Sequence, residues 1–151
     1  MTRLAHARIE RAIVQAEAGT TGHVVVRLVP DSEVDAFARA KQEFEKAELH
    51  KSHEHNVAMI LVAPAARGYA VLGDRELHAR VGDDFWRTLV AEMRPYFTQG
   101  KVVDAIIYAV ERIGRELHKH FPLSSRASES VPSRASEARE RRNDVEEGPL
   151  Q

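Results

Sequence analysis

The sequence contains no cysteine, and this absence excludes disulfides, thiolate nucleophiles and thiolate zinc sites. Any metal therefore needs carboxylate, imidazole or carbonyl ligands. An excess of positive charge is also missing, because 22 Lys and Arg residues are balanced by 23 Asp and Glu residues. Nothing in this balance draws the chain onto phosphate backbones or anionic lipid. We expect no nucleic acid among its partners.

Long apolar runs are missing as well. The longest covers residues 57–66, about half of the ~20 residues that a membrane-spanning helix needs. No integral membrane segment is therefore expected. The amino-terminal residues, Met1 to Arg11, carry charges too often for the apolar stretch of a signal peptide. These features together predict a soluble, cytoplasmic protein that is not exported.

The composition predicts one domain followed by a tail. With 43% hydrophobic and 30% charged residues, the chain has enough apolar material for one core. After Pro122 the sequence becomes rich in Ser, Arg, Glu and Pro, with few large apolar residues. Such a segment cannot offset its ordering entropy by burial. We expect a domain over residues 1–122 and a disordered Ser-, Arg- and Glu-rich tail over residues 123–151.

Hydrophobic periodicity predicts about four helices and three strands in the domain. Ser32, with Asp35 three residues later, is typical of a helix N-cap, so the second helix is expected to begin there and to end near His50. The polar residues between Asp74 and Gly82 predict a turn. The other helices are expected over residues 5–16, 84–99 and 103–117, and the strands over residues 23–29, 57–63 and 69–72.

The strand pattern predicts a mixed sheet. Val57–Ala63 is apolar on both faces and therefore reads as a central, fully covered strand. It follows the strand at residues 23–29 through a helix, which predicts parallel pairing. The short turn to residues 69–72 predicts an antiparallel hairpin. The expected fold class is α/β, a layered sandwich of a small mixed sheet flanked by about four helices.

Four motifs occur in order along the chain: Ala16 to Gly22, Ala63-Pro64, Gly73-Asp74 followed by an acidic helix start at Asp83, and His120 to Pro122. Taken in this order, they resemble the TPM domain family, which is named after phosphatases associated with thylakoids and membranes. The resemblance spans about residues 4 to 122. The chain departs from the family pattern at His55-Asn56-Val57, where Arg-Asn-Gly is common, at Ala66-Arg67, where Asp-Arg is common, and at Glu76, where a glycine is common.

The resemblance implies an α/β sandwich. It also implies divalent-metal binding and weak acid-phosphatase activity, which belong to some members of the family. Other members act as accessory factors in the assembly or repair of membrane complexes. Fold alone does not decide between these functions.

Three carboxylates form the candidate metal site. Asp74 follows a strand, while Asp83 and Asp84 open a helix, so we expect the three to converge at one edge of the sheet. Two or three aspartates with backbone carbonyls suit Ca²⁺ or Mg²⁺. The alternative is structural, because an aspartate also caps a helix or closes a turn.

A phosphatase reading assigns further roles around that site. Asp74 and His78 are the candidate catalytic residues, with His78 as proton donor to the leaving group. Arg67 and Arg75 are the candidates for binding the phosphate. A metal at the carboxylates would polarise the phosphoryl group and activate water.

The densest imidazole cluster is formed by His50, His53 and His55, with Glu54 beside them. Imidazole ligands suit zinc or nickel. The spacing matches no standard zinc signature, so ordinary surface histidines at a helix end are the alternative.

Two functions remain open at this point. The first is a TPM-like domain that binds a divalent cation at the carboxylates and acts as a metal-dependent phosphomonoesterase of low activity. The second is a non-enzymatic interaction module for protein assembly or membrane-complex maintenance, with a protein partner that the sequence does not identify.

Overall fold

The computed structural model describes residues 1–123 and 145–149. These residues form five α-helices and four β-strands. The helices are α1 (Arg3–Glu17), α2 (Ala36–Lys46), α3 (Arg75–Val81), α4 (Asp83–Thr98) and α5 (Val102–His120); the strands are β1 (His23–Leu28), β2 (Val57–Ala63), β3 (Gly68–Gly73) and β4 (Val145–Pro149).

The four strands form one mixed sheet in the order β1-β2-β3-β4. β1 pairs with β2 in parallel, while β2 with β3 and β3 with β4 are antiparallel. The predicted parallel pair and the predicted hairpin are both confirmed. Helices cover both faces of the sheet, so the layered α/β fold class is confirmed as well.

β2 lies at the centre of two hydrophobic cores. Every residue of β2 is buried, as its continuous apolar sequence predicts. On one face, Met59 and Leu61 pack with Phe44 of α2. On the other face, Ile60 packs with a core supplied by α1, α4 and α5, in which Trp86 is fully buried.

The second helix begins later than the sequence pattern predicts. Its N-cap is Asp35, whose carboxylate accepts hydrogen bonds from the amides of Phe37 and Ala38. The prediction of Ser32 as cap is therefore wrong, because Asp35 satisfies the first amides of the helix instead. The α-helix ends at Lys46, and a left-handed Glu48 (φ 57°) separates it from a short 3₁₀ turn at Leu49–Lys51.

The region predicted as a polar turn after Asp74 forms the short helix α3. Leu77 anchors it by complete burial in the core. Its first amides bond to groups outside the helix, described below. A single buried residue in seven gives no helical periodicity that the sequence could reveal. Tertiary contacts therefore determine that this segment is a helix.

The predicted disordered tail is only partly covered by the structure. Residues 145–149 form β4 on the outer edge of β3, which differs from that prediction. Residues 124–144 and 150–151 lie outside the described residues. Among the described residues no helix is long and apolar enough to cross a membrane. The cytoplasmic location stays a prediction.

Candidate functional site

Asp74 lies at the junction between β3 and α3. Its amide donates to the carbonyl of Val57 at 2.9 Å, so the residue is still held to β2. Its carboxylate caps α3 by accepting from the amide of Arg75 at 2.8 Å. The side chain is buried, with the whole residue 4% exposed. A buried carboxylate at a strand end needs further partners to offset its desolvation.

Gly73 precedes Asp74 because no larger residue fits there. A Cβ at this position would lie 2.5 Å from Cζ2 of Trp86, which is closer than van der Waals contact. The indole of Trp86 therefore packs directly on the backbone where β3 ends. This close approach fixes the position from which Asp74 starts α3.

The loop before β2 supplies the second half of the site. His55 has a left-handed backbone conformation (φ 52°), which is uncommon outside glycine but which histidine, asparagine and aspartate adopt more often than other residues. In this conformation its carbonyl accepts from the amides of Glu76 and Leu77 at 3.1 and 3.2 Å. The carbonyl of His55 and the carboxylate of Asp74 thus share the capping of α3, and the loop is fixed to the helix.

The imidazole of His55 bridges Asp74 and Arg75. Its Nδ1 lies 3.3 Å from Oδ2 of Asp74, and its Nε2 lies 2.9 Å from a guanidinium nitrogen of Arg75. A guanidinium can only donate hydrogen bonds, so Nε2 accepts. The proton of the neutral ring is therefore on Nδ1 and is donated to Asp74. The pair has the arrangement of a histidine held in one tautomer by a carboxylate.

Burial raises the pKa of Asp74, because it penalises the charged carboxylate. The hydrogen bond from the Arg75 amide and the charge and hydrogen bond of His55 lower the same pKa in part. The burial effect is the largest, so the pKa stays above its ordinary value. Perturbed carboxylates of this kind occur at functional sites and in structural networks alike.

His78 contacts other residues than Asp74. The indole nitrogen of Trp86 donates to Nδ1 of His78 at 3.2 Å, and Nε2 lies 3.2 Å from Oδ1 of Asp83. Because an indole nitrogen only donates, the neutral ring carries its proton on Nε2, toward Asp83. His78 thus links the buried tryptophan to the start of α4. The histidine that contacts Asp74 is His55.

The three predicted metal ligands do not meet. Asp74 caps the first turn of α3, whereas Asp83 begins α4 after α3 has ended; seven helical residues separate these points by ~10 Å. Asp84 is directed to solvent, with a 95% exposed side chain that pairs with Arg87. Within residues 1–123 and 145–149 no group of three or more His, Asp or Glu side chains is placed to hold a metal ion. The residues present do not fit the predicted three-carboxylate centre.

Arg67 lies at the opposite end of β3 from Asp74. It is exposed and forms the left-handed corner of the hairpin turn (φ 57°). The six residues of β3 separate the two positions by ~20 Å. Of the two arginines predicted to bind phosphate, only Arg75 lies in the site.

Only one histidine of the predicted imidazole cluster lies in the site. His50 and His53 are exposed, as is Glu54, while His55 is half-buried against Asp74. A role for His55 beside Asp74 was missed from the sequence. The register of the hairpin could have indicated it, because Val57 is opposite Asp74, and residues just before β2 must lie at that edge.

The comparisons with known proteins agree with this architecture. Residues 1–116 match the family model of the TPM domain. Among solved structures, the chain is similar to the BA42 protein of the psychrophilic bacterium Bizionia argentinensis. The identity is 30% and the TM-score 0.75, over 83% of this chain and 86% of that one.

A second solved structure is similar in fold. It is the N-terminal domain of the cg2496 protein of Corynebacterium glutamicum, with 18% identity and a TM-score of 0.62 over 82% of this chain and 78% of that one. Among curated proteins, none matches the chain. The family match covers most of the described domain. The chain therefore belongs to the TPM domain family.

Proposed function

We propose that this TPM domain is a phosphomonoesterase of low activity, in which His55 transfers the proton, Asp74 orients its ring and Arg75 binds the phosphoryl group. One observation supports the proposal above the others. The two ring nitrogens of His55 lie 3.3 Å from a buried carboxylate and 2.9 Å from a guanidinium. A proton carrier and an anion-binding group are thus side by side, an arrangement that suits phosphoryl transfer.

Arg75 gives the site its selectivity for a phosphate ester. Its guanidinium can donate two parallel hydrogen bonds to phosphate oxygens, which are stronger acceptors than an imidazole nitrogen. A bound phosphate ester therefore draws Arg75 away from Nε2 of His55. This exchange exposes Nε2 to the substrate.

His55 acts as the general acid. The protonated ring keeps Nδ1–H on Asp74, and Nε2–H faces the oxygen of the leaving group. Water attacks phosphorus, the bond from phosphorus to the leaving oxygen breaks, and that oxygen takes the Nε2 proton. The attacking water loses a proton to solvent, from which the ring is protonated again. An alcohol and inorganic phosphate are the products.

The divalent cation expected from the sequence stays a prediction, and no step above depends on it. If Ca²⁺ or Mg²⁺ binds the native protein, it raises the free energy of unfolding by ~2.7 kcal/mol at 100 times its dissociation constant. Thermal melting with each cation and with EDTA measures this. The same additions to the activity assay show whether turnover depends on a cation.

Hydrolysis of p-nitrophenyl phosphate by the full chain tests the proposal. His55→Asn keeps a residue that tolerates the left-handed backbone and removes the imidazole, so kcat should fall by about 100-fold or more. Arg75→Gln should mainly raise KM. His53→Asn, an exposed histidine two residues away, is the matched control and should leave both constants unchanged. Equal activity of His55→Asn and His53→Asn would overturn the proposal.

The second candidate function is the interaction module. It is favoured by the position of two open surface clefts in the described domain, since neither is lined by the site residues. One lies along the outer side of α2, at Arg39, Glu43 and Lys46; the other lies between α1 and α5 at Ala16, Gly114 and His118. A folded protein without turnover in any of the assays above would leave this function in place.

A further inference from the structure

The outer edge of β3 forms a groove between two helices. α2 packs on one face of the sheet and α4 on the other, and both helices also contact β4. β3 itself is buried from Tyr69 to Gly73. Backbone groups at an edge that is covered in this way need hydrogen-bond partners. In this structure β4 supplies the partners.

The ladder between β2 and β3 fixes which backbone groups face the groove. The amide of Asp74 donates to Val57, and antiparallel pairs alternate in direction along a strand. The backbone groups of Leu72 and Ala70 therefore face β2. Those of Val71 and Tyr69 face β4.

The same alternation assigns the groups of β4. Val71 is opposite Glu146, and Tyr69 is opposite Gly148. The amides of Glu146 and Gly148 therefore face β3, whereas that of Glu147 faces outward. Pro149 has no amide hydrogen, and it occupies an outward-facing position, which is where an edge strand tolerates proline.

The docked segment is a poor strand former by itself. Its sequence is Val-Glu-Glu-Gly-Pro, and Glu, Gly and Pro are all depleted in strands. The groove therefore binds it through the main-chain ladder, as in strand addition to a sheet edge. The family match ends at residue 116, so β4 lies outside the matched domain. The groove belongs to the domain, and its occupant does not.

The groove is also close to a positive charge. Arg94 of α4 lies near enough to Tyr69 to lower the pKa of its hydroxyl, against the larger, raising effect of burial. The occupant carries two adjacent acidic residues, Glu146 and Glu147. An acidic segment suits this position.

We propose that the outer edge of β3 between α2 and α4 is a docking groove for an extended acidic segment of a second polypeptide, and that residues 145–149 occupy it in the free protein. This inference is independent of the phosphatase proposal. Because β4 belongs to the same chain, a second polypeptide must compete with an intramolecular ligand. Only a partner that binds the groove more strongly than β4 does can therefore displace it.

Proline substitutions in the full chain test the ladder. Glu146→Pro removes the amide that donates to Val71, and Glu147→Pro removes an outward-facing amide; both lose the same charge. Hydrogen exchange at Tyr69 and Val71 should become about tenfold faster or more in Glu146→Pro. Exchange at Ala70 and Leu72 should stay as in the wild type, and Glu147→Pro should change none of the four amides.

A synthetic peptide of residues 143–151 then serves as the second polypeptide. It should bind the Glu146→Pro chain and restore slow exchange at Tyr69 and Val71, while a scrambled peptide should not. Its affinity for the wild type should be about tenfold weaker or more, because β4 competes. The proposal is overturned if Glu146→Pro and Glu147→Pro exchange alike. It is also overturned if the peptide fails to bind the Glu146→Pro chain while Ala70 and Leu72 keep their protection.

Discussion

The Nδ1 atom of His55 lies 3.3 Å from Oδ2 of Asp74, although 19 positions separate the two residues in the chain. The hairpin register brings them together, since Asp74 is bonded to Val57 at the end of the ladder. The left-handed backbone of His55 then directs its carbonyl to the start of α3. The same short loop therefore caps the helix and carries the imidazole. A substitution at His55 that preserves the backbone separates these two roles.

Asp74→Asn should change the pH dependence of stability. Burial raises the native pKa of Asp74, so the native state holds this proton more tightly than the unfolded chain. Its contribution to the free energy of unfolding therefore falls as pH rises from the unfolded value of ~3.9 through the raised native pKa. Asparagine has no proton to lose and still caps the helix. Relative to wild type, Asp74→Asn should gain stability as pH increases through this window.

Urea unfolding of both proteins at several pH values from ~4 to ~7 measures this difference. Asp84→Asn is the control, because its side chain is 95% exposed and the difference from wild type should stay flat. A flat difference for Asp74→Asn as well would contradict the burial effect on Asp74.

Gly73→Ala should destabilise the protein by ~1–3 kcal/mol, the usual cost of overpacking. The new methyl group would lie 2.5 Å from the Trp86 ring, which is fully buried and cannot move freely. Gly68→Ala, in the same strand, is the matched control, since its methyl group would be 3.4 Å from Ala36. Chemical denaturation compares the two variants. The interpretation of Gly73 is wrong if both lose the same stability.

Thr20→Val should cost ~1–3 kcal/mol, because it leaves buried polar groups without partners. The Thr20 hydroxyl lies 2.6 Å from the carbonyl of Phe121 and 3.1 Å from that of Leu117, and it accepts from the amide of Gly22. It thus holds the end of α5 to the start of β1. Thr98→Val removes an exposed local bond to Pro95 and should cost much less. Thermal or urea unfolding compares the two variants. Equal losses of stability would contradict the role of Thr20 in connecting α5 to β1.

His78→Leu should lower stability while leaving phosphatase turnover within a few-fold of wild type. The substitution removes the acceptor for the buried Trp86 indole nitrogen, and an unsatisfied buried donor costs ~1–3 kcal/mol. The ring contacts Trp86 and Asp83, so the proposed proton transfer from His55 is kept. Activity at a temperature where the variant is fully folded is the measurement. A loss of turnover equal to that of His55→Asn would return the catalytic role to His78.

Strong local patterns predicted much of the fold. The continuous apolar run of β2 predicted a central strand, and the 3.6-residue periodicity of α1, α4 and α5 predicted the helices around it. These patterns are readable because many residues in one element repeat the same preference. The start of α2 and the existence of α3 were not readable. Each depends on two or three capping bonds, made by Asp35 in the first case and by His55 and Asp74 in the second.

The candidate site was predicted only in part, because its remaining contacts also depend on a few residues. The Gly73-Asp74 pair was recognised from the sequence, and the structure explains it by the contact of Gly73 with Trp86. The partners of Asp74 were not recognised, because polar residues that are close in sequence can lie at opposite ends of a helix or strand. Helix α3 lies between Asp74 and Asp83, and strand β3 lies between Arg67 and Asp74.

The sequence alone determined which segments form the core and how β1, β2 and β3 pair, since burial and strand pairing follow there from hydrophobic patterns and turn residues spread over many positions. Only the tertiary structure decided that His55 meets Asp74, that His78 meets Trp86, and that residues 145–149 lie on the edge of β3. Contacts between side chains or strands distant in sequence depend on register and packing to within a few ångströms, which local preferences do not encode.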